Sequence, residues 1–183
     1  MLTMKDIVRD PDPMLRTKVA EVEDIDEETV SELKEMREYL VNSQDPEASE
    51  KYGLRPGVGL AAPQVGLNKR MLAVYMEGDE GEVLHDYMLI NPKVKSHSVT
   101  ETYLPGGEGC LSVDEEIPGL VHRYQRIRVT ATDIHGEPVE VKAKGMLAVV
   151  LQHELDHLDG IMFYDRIDDE LPMEPKNGAT PVE

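Results

Sequence analysis

The chain has no tryptophan, one phenylalanine and one cysteine in 183 residues. A single cysteine excludes an intramolecular disulfide. With aromatics at 4%, the core has to be built from aliphatic side chains, and ten methionines are available to fill irregular gaps. No apolar run reaches the ~18 residues that a membrane span requires. Residues Met1 to Asp6 carry no apolar signal-peptide core, so the expected location is cytoplasmic, with no membrane partner. Basic residues are also few, 19 against 37 acidic, for a formal net charge of -18. Such a balance argues against direct nucleic-acid binding and against anionic membranes, both of which need a basic face. It exceeds the ~2–8 usual for a small domain. Solubility is one reading, and adaptation to a salty cytoplasm, where screening relieves the repulsion, is a sharper one.

Charged residues at 31% and hydrophobic residues at 40% suit a water-exposed globular chain. Its length predicts one catalytic domain over residues 1–183. Residues 1–10 alternate weakly and suggest a short edge strand. Asp12-Pro13 supplies an N-cap followed by proline at the first helical position, predicting a short helix to Val19 or Val22. From Asp26 to Asn42, Val30, Leu33, Met36, Leu40 and Val41 fall at helical spacing, and Asp26, Glu27 and Glu28 suit the helix dipole. Residues 44–56 are polar and read as a loop or insertion. Strands are expected at 70–76 and 87–94, with a weaker one at 96–103, and a hairpin at 127–134 and 138–143 turns at His135-Gly136. The acidic, proline-containing tail, 168–183, is expected to be extended or frayed. The fold class is therefore α+β: antiparallel sheets packed around a central helix, with N-terminal helices and an extended C-terminal tail.

That central helix is predicted between Gly145 and Gly160. It carries Gln152-His153-Glu154-Leu155-Asp156-His157, which contains His-Glu-x-x-His. Residues four apart share one helix face with Cβ atoms ~5–6 Å apart, so His153 and His157 can hold one metal ion. Glu154 is placed to handle a proton of water at that ion. A third ligand is available in Glu108-Gly109-Cys110-Leu111-Ser112, where glycines leave room around the Cys110 sulfur, a good transition-metal ligand. Three protein ligands with an open position is the pattern of a catalytic site, whereas structural zinc closes with four. In Gly57-Val58-Gly59-Leu60-Ala61-Ala62-Pro63-Gln64, the glycines permit close backbone approach, and Gln64 is a lone polar side chain that needs a partner.

These three blocks, in this order and at about these separations, resemble the three motifs of the peptide deformylases. The loop at 44–56 and the missing C-terminal helix resemble the longer, insertion-bearing bacterial subclass. The resemblance implies a metal-dependent hydrolase that removes the N-terminal formyl group from the initiator methionine of nascent polypeptides and releases formate. N-formylmethionyl peptides are then the substrate, with transient ribosome contact as a further partner. By similarity the metal ligands are Cys110, His153 and His157. Glu154 is the general acid–base, and the Gln64 side chain and Leu111 N–H are the oxyanion donors. Val58, Gly59, Leu60, Gly109, Val149 and Val150 bind substrate. The implied cofactor is one Fe2+ per chain, for which Zn2+, Ni2+ or Co2+ can substitute.

Two other readings fit part of the pattern. An ordinary zinc endopeptidase would need Asp165 or Glu170 as its third ligand and gives the Cys110 and Gly57 blocks no task. A non-catalytic module with a structural metal would need a fourth protein ligand.

Overall fold

The computed structural model describes all residues, 1–183. Its centre is a five-stranded antiparallel sheet flanked by helices. In chain order the elements are α1 (Glu27–Gln44), α2 (Pro46–Tyr52), β1 (Gly59–Ala61), β2 (Met71–Glu77), β3 (Val83–His97), β4 (Glu101–Tyr103), β5 (Arg123–Tyr124), β6 (Arg126–Thr132), β7 (Pro138–Lys144), α3 (Gly145–Leu158) and β8 (Thr180–Pro181). The large sheet runs β1-β2-β3-β6-β7, and a small one runs β5-β4-β8.

Strand alternation divides the interior in two. Leu72 and Val74 of β2 join Leu89, Ile127, Val129, Val141 and Ala143 against α3. Met71, Ala73 and Tyr75, on the opposite face of β2, pack with Ile90 against Leu33, Met36, Tyr39 and Leu40 of α1. Period-two side chains thus bury both faces of β2. α1 begins as its sequence requires, with the Asp26 side chain accepting from Thr29 N–H at 2.8 Å.

α3 is enclosed. Eleven of its 14 residues are buried, which fits a helix that is apolar on several sides. Leu151 and Leu158 are fully buried, each worth roughly 1.5–3 kcal/mol. Gly145 is its first residue, at φ 61°, rather than a residue preceding it. Gly160, at φ 73°, lets the chain turn away after the helix. A Cβ on Gly160 would lie 2.6 Å from the backbone carbonyl of Arg16, so this stop also makes room for the N-terminal segment.

Several elements differ from expectation. Residues 1–10 form no strand: Met4–Asp6 is a single 3-10 turn capped by Thr3, whose reciprocal cap bonds satisfy the backbone locally. The helix expected after Asp12-Pro13 stops after one 3-10 turn, Pro13–Arg16, because Val19 N–H is taken by Leu158 O at 3.0 Å. The polar stretch 44–56 contains a helix, α2, capped by Asp45 and ended by Gly53 at φ 63°. None of its residues is buried, so no hydrophobic period announced it. β3 continues to His97, and only Glu101–Tyr103 of the 96–103 strand forms separately. The tail contains no helix, but β8 pairs in parallel with β4. No helix of the chain is long and apolar enough to cross a membrane.

Candidate metal centre

Three segments meet at one cavity. β1 and the 3-10 turn after it bring Gly59 and Gln64, the loop after β4 brings Glu108 to Leu111, and α3 brings Val149, Val150, His153 and Glu154. The cavity encloses about 380 Å³. Val58 and Gly109 line it as well. Leu60 does not, because its side chain is fully buried in the core under α1. Strand alternation explains this: Gly59 faces the cavity, so its neighbour faces away.

The ligand atoms of Cys110, His153 and His157 all lie within 4.8 Å of one another, with no fourth His, Cys, Asp or Glu in the group. Cys110 Sγ is 3.3 Å from His157 Nε2. His153 Nδ1–H donates to Glu108 Oε1 at 2.8 Å, which leaves Nε2 free to ligate. These residues fit a transition-metal ion in three ways. The donor set is one sulfur and two imidazoles. Burial holds His157 well below its ordinary pKa and hence neutral. Burial also opposes charge on His153, but Glu154, Cys110 and Glu108 outweigh it and raise its pKa well above the usual value. The anionic surroundings therefore favour a cation at this point.

Glu154 is buried, and its Oε1 has no hydrogen-bond partner. Burial is the largest influence on it and lifts its carboxyl to a pKa of about 7. A carboxyl so placed can accept and return a proton near neutrality. Gly59 makes the space: a Cβ there would sit 2.6 Å from Glu154 Oε2 and 2.9 Å from Val150 Cγ1. Gln64 is held at both ends of its amide. Its Oε1 accepts from Ala61 N–H at 3.0 Å, and its Nε2 donates to Ser112 Oγ at 3.2 Å and toward Cys110 Sγ at 3.5 Å. The amide donor is thereby turned toward the sulfur.

The sequence reading missed the group behind His153. Arg123 donates from Nε and Nη2 to Glu108 at 3.0 and 2.8 Å and from Nη1 to Asp156 at 2.6 Å. Arg166 donates to both oxygens of Asp156 at 2.6 and 2.8 Å. Burial opposes the Glu108 charge, but the hydrogen bonds from His153 and Arg123 prevail and hold its carboxyl down at about 2. Glu108 and Asp156 stand inside the motif blocks, so their location was a signal, whereas Arg123 and Arg166 carry no local pattern. Gln152 adds a clamp, accepting from Tyr124 N–H and donating to Tyr124 O, each at 2.9 Å, which fixes β5 to α3. The acids that a zinc endopeptidase would need are elsewhere: Asp165 pairs with Arg16, and Glu170 is exposed.

Comparison with known proteins agrees. The polypeptide deformylase family model matches residues 4–172. The chain is 55% identical to peptide deformylase 2 of Bacillus anthracis over 184 residues, covering 100% of both. It is also 55% identical to peptide deformylase of Staphylococcus epidermidis over 186 residues, again covering 100% of both. Among solved structures, a plant peptide deformylase superposes with a TM-score of 0.74 at 34% identity, covering 92% of this chain and 82% of the other. Peptide deformylase from Thermotoga maritima gives 0.70 at 33% identity, covering 88% and 96%.

Proposed function

The chain belongs to the polypeptide deformylase family, and from that premise we propose that the cavity beside α3 is where it removes the formyl group from the N-terminal methionine of nascent polypeptides. The observation that carries this reading is the buried Cys110, His153 and His157 triad with the unpartnered Glu154 oxygen beside it. Cys110, His153 and His157 would hold a metal ion, which supplies Lewis acidity that activates water near neutral pH. Glu154 takes the proton of the attacking water and passes it to the leaving amine. Water oxygen adds to the formyl carbon, the carbon–nitrogen bond breaks, and formate and a free amino terminus depart.

Gln64 Nε2 and the Leu111 N–H donate to the carbonyl oxygen as it becomes negative. Gln64 is suited to this because its other amide end is already fixed by Ala61. The cavity beside Met146, Val149 and Val150 is apolar and of a size for the methionine side chain. Gly109, where an added Cβ would meet nothing within 4 Å, leaves an open approach for substrate backbone. We assign ferrous iron as the resident ion, with zinc, nickel or cobalt able to occupy the same donors. The chain acts as one catalytic domain, in the cytoplasm.

The deciding experiment measures formate released from formyl-Met-Ala-Ser by anaerobically purified protein whose metal is counted. One iron per chain and formate release are expected. Internal cleavage of unformylated peptides with no formate would overturn the reading. Cys110→Ala should lose metal and activity together, since two histidines alone make a weaker site. Full metal retention would remove Cys110 from the ligand set.

A further inference from the structure

The polar segment that carries α2 has no task in the chemistry above, yet it ends beside the cavity. α2 stops at Gly53, Leu54 turns inward and is buried, and Arg55 follows, exposed, at the cavity's edge. The Arg55 main chain is fixed from α1, because Tyr39 Oη donates to its carbonyl at 2.9 Å. Its guanidinium reaches across to the turn at Cys110–Val113. Nη2 donates to Cys110 O at 3.2 Å and to Val113 O at 3.4 Å, and Nη1 donates to Val113 O at 3.4 Å. Asp114 lies 3.5 Å from Nη1 and also pairs with Arg9. A long surface arginine normally keeps its charged head in water. This one directs it at two backbone carbonyls of the loop that carries Cys110.

The Cys110 carbonyl matters because of what shares its peptide plane. Cys110 C=O and Leu111 N–H belong to one trans amide unit, which is planar, so the two bonds point in opposite directions. Val113 N–H holds Cys110 O at 3.0 Å from within the turn, and Arg55 holds it from outside. Fixing that oxygen fixes the direction of the Leu111 N–H. The Leu111 side chain is anchored separately, in the core under α1. Gly57 leaves it room there: a Cβ on Gly57 would sit 2.8 Å from Leu111 Cδ1. Leu111 is buried and lines the cavity, and its N–H donates to no backbone carbonyl of the chain. Buried backbone donors without an acceptor are rare.

We propose that Arg55 is a positioning residue for the Leu111 N–H: its cation holds the Cys110–Leu111 peptide in the orientation that presents this donor to the formyl oxygen. The inference rests on the deformylase reading of the cavity and goes beyond it by giving the segment before β1 a part in the reaction. Two effects act together. A hydrogen bond from a charged donor is stronger than one from a neutral group, so it holds the carbonyl even at a partly wet site. A cation on the carbonyl oxygen also polarises the amide, which makes the N–H at its other end a better donor. The fork of the guanidinium spans two carbonyls at once, and a lysine ammonium offers only a point charge. The Arg55 side chain is 44% exposed, so its ion pair with Asp114 contributes little to the fold. Orientation can therefore be lost without unfolding the protein.

The test exploits the single cysteine. Cysteine labelled with ¹³C at its carbonyl, together with ¹⁵N-leucine, marks one amide in the whole chain, Cys110–Leu111, and one NMR correlation reports it. In zinc-loaded protein, Arg55→Met should shift that correlation while metal content and melting midpoint stay near those of the unaltered chain. In formate release from formyl-Met-Ala-Ser, its kcat should fall about tenfold, less than the roughly 10²–10³ of losing a donor outright, because Val113 still holds the oxygen. KM should move less than kcat. Arg55→Lys should lie between the two. Asp114→Asn, which removes the ion pair and leaves both carbonyls, should keep kcat near that of the unaltered chain. Full kcat in folded, metal-loaded Arg55→Met would overturn the proposal, as would an unmoved Leu111 resonance. A raised KM at constant kcat would make Arg55 a substrate contact and overturn it too. Equal losses in Asp114→Asn and Arg55→Met would do the same, by assigning the effect to the ion pair. An unaltered protein that releases no formate would overturn the deformylase reading and this one with it, whereas formate release with an unmoved resonance overturns this one alone.

Discussion

Glu154 and Gln64 differ in what holds them, and mutation should separate their roles. Glu154→Gln retains shape but loses the basic carboxylate, so metal should stay bound while the rate falls roughly 10²–10⁴-fold. Near-normal turnover with metal present would remove it as the proton carrier. Gln64→Leu keeps approximate volume and deletes the donor. Loss of one oxyanion donor typically costs ~2.7–4 kcal/mol, or roughly 10²–10³ in kcat, with KM moving less. Here the structure adds a complication, because Gln64 Oε1 also takes the Ala61 N–H, and its loss costs some stability. Thermal melting alongside kinetics resolves the two: a folded, metal-loaded variant with full kcat would leave Gln64 only as a brace for its turn. At this scale the sequence was informative where chemistry dictates residue type. Cys110, His153, Glu154 and His157 were readable because a metal and a proton need those groups at those spacings. Leu60 was misplaced because strand alternation, invisible in a three-residue strand, sends it into the core.

α3 carries both histidines, and its position depends on ion pairs that reach it from other segments. Arg123, on β5, touches Glu108 and Asp156, and its side chain is only 2% exposed. Arg123→Met should therefore leave buried Glu108 with His153 alone and Asp156 with Arg166 alone, and destabilise the fold by up to about 3–5 kcal/mol, measured by urea unfolding. It should also weaken metal binding about 10–100-fold, since Glu108 orients the His153 ring. An unchanged unfolding midpoint would show that the two acids are otherwise compensated. α1 and the β6–β7 hairpin were legible because one face of each is apolar, and β2 and α3 because their apolar residues run nearly without a break. α2 was not, since nothing in Pro46–Tyr52 is buried and its helix rests on caps. The Arg123 network was not legible either, because its partners come from β5, the Cys110 loop, α3 and the turn after it, and tertiary proximity leaves no local spacing.

Taken whole, the molecule carries -18 charges, and their mutual repulsion should ease as salt rises. Raising KCl from about 0.05 M to about 1 M shortens the screening length to ~3 Å. The melting midpoint should climb by about 2–4 °C for each kcal/mol of repulsion relieved, and an unmoved midpoint would reject the reading of salt adaptation. The large sheet has one further property that matters for the whole protein complement of a cell. β1 is an end strand, three residues long, and Gly59 within it faces the cavity. One side of its main chain therefore has no strand partner. A polypeptide lying along that side would be read through amide groups, which every protein possesses, while on the proposed function the apolar hollow beside Val149 and Val150 would accept the one side chain that all new chains share. Selectivity would then be concentrated on the first residue and relaxed after it, and a single active site would serve thousands of different beginnings.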